Sequence, residues 1–213
     1  MKEVIILPTY NERENISSLV EEIFSLLPEI GILIVDDNSP DGTANLVEKL
    51  KVKYSNLSLL KRPEKNGLGG AYIEGFKKLL ADAEIKNIFM MDADFSHSPK
   101  YLPQMIAESE NYGLIIGSRY IKGGGIAKWE LWRKILSVTG NFYVRILLGR
   151  RVHDWTGGFN CISADYLREV DLDKIDLSGY AFIMGLKYFL IKTGASIKEI
   201  PIIFEARRGG ESK

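Results

Sequence analysis

The chain has 213 residues, of which 46% are hydrophobic, and this is enough to build one substantial core. Basic and acidic residues number 28 each, a balance that excludes a general nucleic-acid binder. A signal peptide is not predicted in residues 1–20, no apolar run approaches the roughly 18 residues that span a bilayer, and the single Cys161 excludes an internal disulfide. We therefore expect a cytoplasmic protein, or one that rests on the cytoplasmic face of a membrane.

Apolar runs of strand length alternate with amphipathic stretches of helix length through the first half of the chain. The predicted strands are 4–7, 32–35, 57–60, 88–91 and 114–116, and the predicted helices between them are 16–27, 43–54, 69–81 and 102–109. This alternation predicts an α/β fold with a mostly parallel central sheet and helices on both faces. Neither a dinucleotide-binding glycine motif nor a Walker A motif occurs, which argues against a dehydrogenase and a P-loop NTPase.

Polar residues suited to a nucleotide follow the first two strands. The first strand leads into Pro8-Thr9-Tyr10-Asn11-Glu12, and the second leads into the segment DDNSPDGT at 36–43. An aromatic ring can stack on a base, and a carboxylate can accept hydrogen bonds from a base or a ribose. We favour Asp37 as a ligand group, whereas Asp41 is more typical of a turn and helix cap.

The most informative stretch is NIFMMDADFSHSP at 87–99, in which a buried strand ends at Asp92-Ala93-Asp94. In extended backbone the side chains at positions i and i+2 leave the same face, so the two carboxylates point together beyond the strand. They repel each other unless a cation lies between them, and a hard divalent cation that carries diphosphate oxygens suits them. The alternative is an Asp-rich turn leading to Pro99.

A basic region follows Ser118. Residues 119–151 hold eight Lys and Arg against the single acid Glu130, beginning with a glycine-rich segment, 122–125, that we expect to be a mobile loop. The predicted helix 129–148 carries Trp and Leu beside basic residues, which suits an anionic membrane interface. An ordinary helix with one face on the core and a charged outer side is the alternative.

The last third of the chain offers weaker signals. The segment DWTGGF at 154–159 is either part of an acceptor pocket or simply a turn before a short strand. A helix at 181–193 and a strand at 197–204 follow, with Pro201 tolerated near a sheet edge. The basic tail 207–213 could close over a diphosphate. The two histidines have no partners at zinc-ligand spacing, so a structural zinc site is not expected.

Seven segments, taken in order, carry a resemblance over essentially the whole chain. They are LPTYNEREN, VDDNSPDGT, MDADFSHSP, GSRYIKGGG, Trp129 with Arg133, TGGFN and GESK. Together they resemble the dolichol-phosphate mannose synthases, which are polyprenyl-phosphate mannosyltransferases of glycosyltransferase family 2 with the GT-A (Rossmann-like) fold. The resemblance implies one catalytic domain, 1–213, with a nucleotide-sugar-binding half at 1–118 and an acceptor-binding half at 119–213.

The resemblance also implies a reaction and its residues. Mannose would pass, with inversion, from GDP-mannose to a polyprenyl (dolichyl) phosphate, aided by Mg²⁺ or Mn²⁺. The implied guanosine site is formed by Pro8, Tyr10, Glu12, Val35 and Asp37. The implied metal and diphosphate site is formed by Asp92, Ala93, Asp94 and Ser96. The implied phosphate-binding cations are Arg119, Arg207 and Lys213, with Arg133 near the acceptor phosphate, and the implied catalytic set is Asp92, Asp94, Arg119 and Arg133.

The chain departs from the family pattern at two positions. Ser96 replaces the usual Gln as a metal ligand, and Gly185 replaces a Glu of the late helix. Many relatives continue past the position of Lys213, some into transmembrane helices, so a missing segment or an anchoring subunit is a possible partner. Two other functions stay open: a UDP-glucose or other UDP-sugar transferase acting on the same lipid phosphate, and a non-catalytic nucleotide-binding or membrane-scaffold subunit.

The chemistry of the acceptor limits what a catalytic site needs. A phosphate monoester has a second pKa of about 6, so the acceptor is largely dianionic near neutral pH. A strong general base is then unnecessary, and the demand falls on cations that hold two anions together. Arginine suits this role because its guanidinium binds phosphate with two parallel hydrogen bonds.

Overall fold

The computed structural model describes residues 2–65, 67–127, 130–175 and 179–208. Within these ranges the chain forms a seven-stranded sheet in the order β3-β2-β1-β4-β7-β5-β8 and a two-stranded sheet formed by β6 and β9. The strands are β1 (Lys2–Thr9), β2 (Gly31–Asp36), β3 (Leu57–Lys61), β4 (Ile85–Met90), β5 (Leu114–Ser118), β6 (Gly125–Ile126), β7 (Asn160–Ser163), β8 (Ile197–Pro201) and β9 (Ile203–Phe204).

Seven α-helices in the described part of the chain connect or flank these strands. They are α1 (Arg13–Leu26), α2 (Thr43–Leu50), α3 (Gly67–Leu80), α4 (Leu102–Ser109), α5 (Leu131–Leu148), α6 (Ala164–Arg168) and α7 (Gly179–Lys192). The α/β fold with a mostly parallel sheet is therefore confirmed. Predicted helix 43–54 ends earlier, at Leu50, and the five-residue α6 was not predicted.

The sheet is covered on both faces because its strands alternate their side chains between two cores. On one face Ile6 of β1 packs with Phe76 of α3 and Phe182 of α7. On the other face Ile5 of β1 packs with residues such as Ile16 of α1. Helices α3, α6 and α7 thus cover one face of the sheet, and α1, α2 and α4 cover the other.

One antiparallel strand decides which loops meet at the site. The parallel strands β1, β2, β4 and β5 all end at one edge of the sheet, and β7 runs antiparallel between β4 and β5. Met90, the last residue of β4, pairs with Asn160, the first of β7. The turn before β7 therefore lies beside the residues that follow β4.

The predicted strand 197–204 is divided in two. As predicted, Pro201 is tolerated at a sheet edge: β8 is an edge strand that ends at Pro201, and the next residue, Ile202, still donates its N–H to the Ser118 carbonyl of β5 at 3.0 Å. Residues 203–204 then pair in parallel with 125–126. The predicted loop at 122–125 is found over 122–124, which form a turn, whereas Gly125 belongs to β6 and its N–H donates to the Ile202 carbonyl at 2.9 Å.

Candidate active site

A cavity of about 460 Å³ opens at the carboxyl edge of the parallel strands. Open α/β sheets bind their ligands at this edge. Its walls come from the ends of β1, β2, β4 and β5, from the turn before β7, from the start of α7 and from the segment after β9. Residues far apart in the chain therefore meet around one space.

The turn that follows β4 brings two carboxylates to the cavity. Phe95 has a φ of 66°, a left-handed conformation that is unusual for a bulky residue and that turns the chain sharply. The Ser96 N–H donates to Asp94 Oδ1 at 3.0 Å, and the Asp92 N–H donates to His97 Nδ1 at 3.0 Å. Asp92, Asp94 and His97 all line the cavity as a result.

The two carboxylates differ in their electrostatic surroundings. Burial raises the pKa of Asp92, and repulsion from Asp94 adds to that rise although His97 opposes it. Burial acts in the same direction on Asp94, but hydrogen bonding from Ser96 and the charge of Arg207 outweigh it and lower the pKa of that carboxyl. A cation placed between the two would relieve their repulsion.

The segment after β9 lies against this turn. The Glu205 N–H donates to the Ser96 carbonyl at 3.1 Å, and the Arg208 N–H donates to the Asp94 carbonyl at 3.2 Å. Between them, Arg207 Nε lies 2.9 Å from Asp94 Oδ2, and its Nη1 lies 3.9 Å from Glu12 Oε1. Backbone pairing thus fixes a guanidinium beside the carboxylates.

A second arginine, Arg119, follows the end of β5 and also lines the cavity. The Arg119 Nε donates to Asp154 Oδ2 at 2.7 Å, and Nη2 donates to Asp154 Oδ1 at 2.8 Å and to Thr156 Oγ1 at 2.7 Å. Asp154 is fully buried. Burial alone would raise the pKa of this carboxyl, but hydrogen bonding and charge from Arg119 lower it. Asp154 therefore stays ionised and orients Arg119 along the cavity wall.

The far end of the cavity suits a nucleoside. Lys65 Nζ lies 4.2 Å from the centre of the Tyr10 ring, and both residues line the cavity with Asp37. Arg62 is buried and donates from Nη1 to Asp37 Oδ1 at 2.5 Å and from Nε to Glu74 Oε1 at 2.8 Å. This pairing fixes the position of the Asp37 carboxyl group at the cavity, where its oxygens can accept hydrogen bonds.

Most of the residues named from the sequence come together. Those that line the cavity are Pro8, Tyr10, Glu12, Asp37, Asp92, Ala93, Asp94, Arg119 and Arg207. Val35 does not: it is fully buried against α3, because it lies within β2, where that helix covers the sheet, and not beyond the strand end. Ser96 Oγ is buried and is also not on the cavity wall. The Arg133 side chain and Lys213 lie outside the described residues.

Sequence reasoning missed several groups that the fold brings to this region. His97, Lys65 and Ile183 line the cavity, and Lys187 and Glu199 support the turn that contains Asp154. Thr156 also lines the cavity, and it belongs to the segment 154–159 that the sequence offered as part of an acceptor pocket. His97 lies within the motif MDADFSHSP, so the sequence did contain a signal for its role. Lys187 lies in an apolar helix, and nothing local to it indicates a role at the site.

The donor set fits one kind of metal site. In the part of the chain that the structure describes, no cluster of three or more His, Cys, Asp or Glu could hold a metal ion. Asp92 and Asp94 remain as two carboxylates facing one cavity. Mg²⁺ typically takes one or two carboxylates and completes its shell with substrate phosphates and water. The residues present fit that mode.

Helix α5 turns its apolar side outward. Its inward contacts are both apolar and polar: Val144 and Leu148 pack against the core. Ser137 Oγ lies 2.5 Å from Tyr120 Oη, and Asn141 accepts the Trp155 N–H at 2.9 Å. Its large exposed side chains are Trp132, Ile135, Leu136, Val138, Phe142, Tyr143, Ile146 and Leu147, each between 50% and 65% exposed. This outward apolar face is unusual for a water-facing helix. Among the described residues, no helix has the length and apolar character needed to cross a bilayer.

Comparisons with known proteins agree on a family. Residues 4–171 match the family model described as glycosyl transferase family 2. The chain is 39% identical over its whole length to an undecaprenyl-phosphate mannosyltransferase of Micrococcus luteus, covering 87% of that protein. It is 40% identical over 99% of its length to a polyprenol monophosphomannose synthase of Mycolicibacterium smegmatis, covering 80% of it.

A solved structure supports the fold. The glucosyl-3-phosphoglycerate synthase of Mycobacterium tuberculosis, in complex with Mn²⁺, UDP-glucose and phosphoglyceric acid, superposes with a TM-score of 0.66. The match covers 99% of this chain and 72% of that one at 17% identity. At that identity the likeness speaks for the fold alone, which is that of the GT-A glycosyltransferases.

Proposed function

The chain belongs to glycosyltransferase family 2, and from this premise we propose that it transfers mannose from GDP-mannose to a polyprenyl phosphate. The observation that carries the proposal is the charge arrangement in one cavity. Asp92 and Asp94 stand on one side, and the guanidinium groups of Arg119 and Arg207 reach the same space. The relatives that are about 40% identical carry names that specify polyprenyl-phosphate mannose transfer, which supports this choice of donor sugar and acceptor.

We assign the nucleoside to the end of the cavity formed by Tyr10, Lys65 and Asp37. A base can stack on the Tyr10 ring, while Asp37 accepts hydrogen bonds from the base or the ribose. Glu12 and Pro8 belong to the same donor half, 1–118, and 119–213 supplies the acceptor half. The choice of guanine over uracil rests on these contacts and is the finer part of the proposal.

The diphosphate lies, in this proposal, between the carboxylate pair and Arg207. Asp92 and Asp94 would hold Mg²⁺ or Mn²⁺. When bound, such an ion supplies positive charge that offsets the charge developing on the departing nucleoside diphosphate. Arg207, which already lies 2.9 Å from Asp94, adds a second positive group on the same side.

The acceptor phosphate needs orientation more than deprotonation. It is a dianion near neutral pH, so its oxygen attacks the sugar without a strong base. Arg119 is held by Asp154 and Thr156 with its guanidinium on the cavity wall, and it offers a fixed positive group to a phosphate. Holding two anions in one orientation removes much of the entropic barrier to their reaction.

The acceptor carries an apolar lipid tail, which resides in a membrane. We therefore propose that the outward apolar face of α5 contacts an anionic bilayer. Trp132, Phe142 and Leu147 on this face are more than half exposed. Arg150 and Arg151 follow the helix directly and are exposed. An apolar helix face with basic neighbours is typical of interfacial binding. Ser137, on the inner side of α5, bonds to Tyr120, the neighbour of Arg119, so α5 is attached to the strand end that carries Arg119.

A donor and acceptor panel tests the transfer. The protein is incubated with Mn²⁺, a short polyprenyl phosphate and radiolabelled GDP-mannose, GDP-glucose, UDP-glucose or UDP-galactose, and organic-soluble label is counted. We expect label from GDP-mannose. A preference for a UDP-sugar would overturn the donor assignment, and no product from any donor would overturn the transferase proposal.

Vesicle flotation tests the membrane contact. The double variant Phe142→Ser/Leu147→Ser is compared with Val52→Ser, which removes an apolar side chain that is 91% exposed elsewhere. We expect phosphatidylglycerol vesicles to bind the α5 variant about tenfold less tightly per side chain, and the control to match wild type. Equal binding by all three proteins, or an α5-dependent dimer in solution, would contradict the contact.

A further inference from the structure

Lys187 is a charged side chain in an apolar setting. It lies on α7, one turn after Ile183 and two after Gly179, both of which line the cavity, and residues four apart share a helix face. The residue is 1% exposed, beside the buried side chains Phe182 and Leu186. Burying an ammonium costs several kcal/mol unless hydrogen bonds and opposite charge compensate. An apolar residue would fill this position at lower cost.

The ammonium binds the backbone of the turn before β7. Lys187 Nζ donates to the carbonyl of Asp154 at 2.7 Å and to the carbonyl of Gly157 at 2.9 Å. In the same turn the Gly157 N–H donates to the Asp154 carboxylate at 2.8 Å. One side chain therefore fixes both ends of the turn whose carboxylate binds Arg119.

The charges around Lys187 form a neutral group. Glu199 of β8 accepts the Asp154 N–H at 3.0 Å and the His153 N–H at 2.9 Å from the other side of the turn. Two carboxylates, Asp154 and Glu199, thus balance the cations Arg119 and Lys187. Burial lowers the pKa of Lys187 to about 8, with Asp154 and Glu199 opposing and Arg119 adding to that fall. Lys187 is therefore mainly protonated at neutral pH.

We propose that Lys187 is a positioning residue that acts through Arg119. By holding the Asp154 and Gly157 carbonyls, it fixes the turn that orients the Arg119 guanidinium toward a phosphate in the cavity. The inference rests on the proposed function, because that function gives Arg119 a phosphate to bind. Lys187 itself touches no substrate in this account.

A double-mutant cycle tests the proposal. Wild type, Lys187→Met, Arg119→Gln and the double variant are assayed for kcat and KM with the polyprenyl phosphate. Misplacing a positioned group costs up to about 10²-fold in rate, so kcat/KM should fall by roughly that factor in Lys187→Met. Because the loss passes through Arg119, Lys187→Met should cost no more than about twofold in the Arg119→Gln background.

The matched control is Lys192→Met, the same change on the same helix at an exposed position. It should leave kcat/KM unchanged. Additive losses in the cycle would overturn the proposal, because a purely structural lysine would lower activity whether or not Arg119 is present. If Lys187→Met does not fold, Lys187→Gln replaces it, since its amide retains N–H donors for the carbonyls; the same additivity would count against the proposal.

Calorimetric titration with a short polyprenyl phosphate separates this inference from the proposed function. If wild type transfers no mannose, the proposed function fails, and the same four proteins are compared by their affinity for this phosphate instead. Non-additive losses of that affinity at 119 and 187 would still support the positioning role. Independent losses, or no loss in Lys187→Met, would overturn it.

Discussion

Two aspartate-led turns lie side by side at the carboxyl edge of the sheet, and they use their charge in opposite ways. The Asp92 side chain is 35% exposed at the cavity, and its surroundings raise its pKa. Asp154 is fully buried, binds Arg119 and has a lowered pKa. One turn thus keeps a carboxylate for a ligand, and the other uses its carboxylate to orient a cation.

The difference follows from what each turn meets. The turn after β4 lies between the cavity and residues 205–208, so its carboxylates face ligand space and one arginine. The turn before β7 lies between Arg119, Lys187 and Glu199, and each of these residues makes a hydrogen bond with its polar groups. Removing charge from the first should affect binding and turnover, whereas removing it from the second should affect folding.

The largest expected effect comes from Asp154→Asn. Arg119 and Lys187 would lose a buried opposite charge, and breaking such a pair costs about 3–5 kcal/mol of unfolding free energy. Urea denaturation at neutral pH measures this loss. The control is Asp165→Asn, whose exposed pair with Arg168 should contribute less than about 1 kcal/mol. Similar losses of unfolding free energy in the two variants would show that the buried charge of Asp154 has no special role in folding.

Asp92→Asn should have the opposite character. Losing a group that stabilises charge in the transition state typically costs about 10²–10³-fold in kcat, so metal-dependent transfer should fall at least that far. Unfolding free energy should be unchanged or higher, because the ionised Asp92 is disfavoured where it lies. Turnover with Mn²⁺ and urea denaturation of the same preparation measure both quantities. Full activity in this variant would remove the proposed metal role.

Local pattern was enough to predict that the carboxylates of the first turn act together, whereas for the second it predicted a turn but not the contacts of Asp154. The carboxylates at 92 and 94 are two residues apart at the end of an apolar strand, so strand geometry alone predicts that they point together. The contacts of Asp154 with Arg119, Lys187 and Glu199 span 35, 33 and 45 residues. These residues come together only because β7 inserts antiparallel between β4 and β5, and no periodicity in the sequence predicts that insertion.

The same distinction explains the other differences from prediction. The parallel strands of the first half were predicted from a local pattern, the alternation of strand-length and helix-length stretches, and they are confirmed. The β6–β9 pair joins residues more than 70 positions apart, so the sequence did not indicate that Gly125, at the end of the predicted loop 122–125, belongs to a strand. Val35 resembles a site residue by motif position, yet its side chain packs in the core because it lies within β2 and is covered by α3.

Acid titration should sharpen the comparison further. The folded-state pKa of Asp154 lies below the ordinary value of about 3.9. Its ionisation therefore contributes stability that is fully present well above that value and is lost as the pH falls toward the folded-state pKa. In EDTA, wild type should lose unfolding free energy below about pH 5 more steeply than Asp154→Asn. Equal slopes would show that Asp154 is not held as a carboxylate.

The smallest effect is expected from Thr156→Val, which keeps the shape of the side chain and removes its hydroxyl. Arg119 Nη2 would lose its 2.7 Å bond to Thr156 Oγ1 but would keep both bonds to Asp154. A net hydrogen bond contributes about 1 kcal/mol, so kcat/KM for the lipid phosphate should fall about fivefold. Thr156→Ser, which keeps the hydroxyl, should retain most of the activity. If the valine and serine variants have equal activity, the Asp154 carboxylate orients Arg119 without help from Thr156. The orienting role would then belong to the Asp154 side chain and not to its turn as a whole.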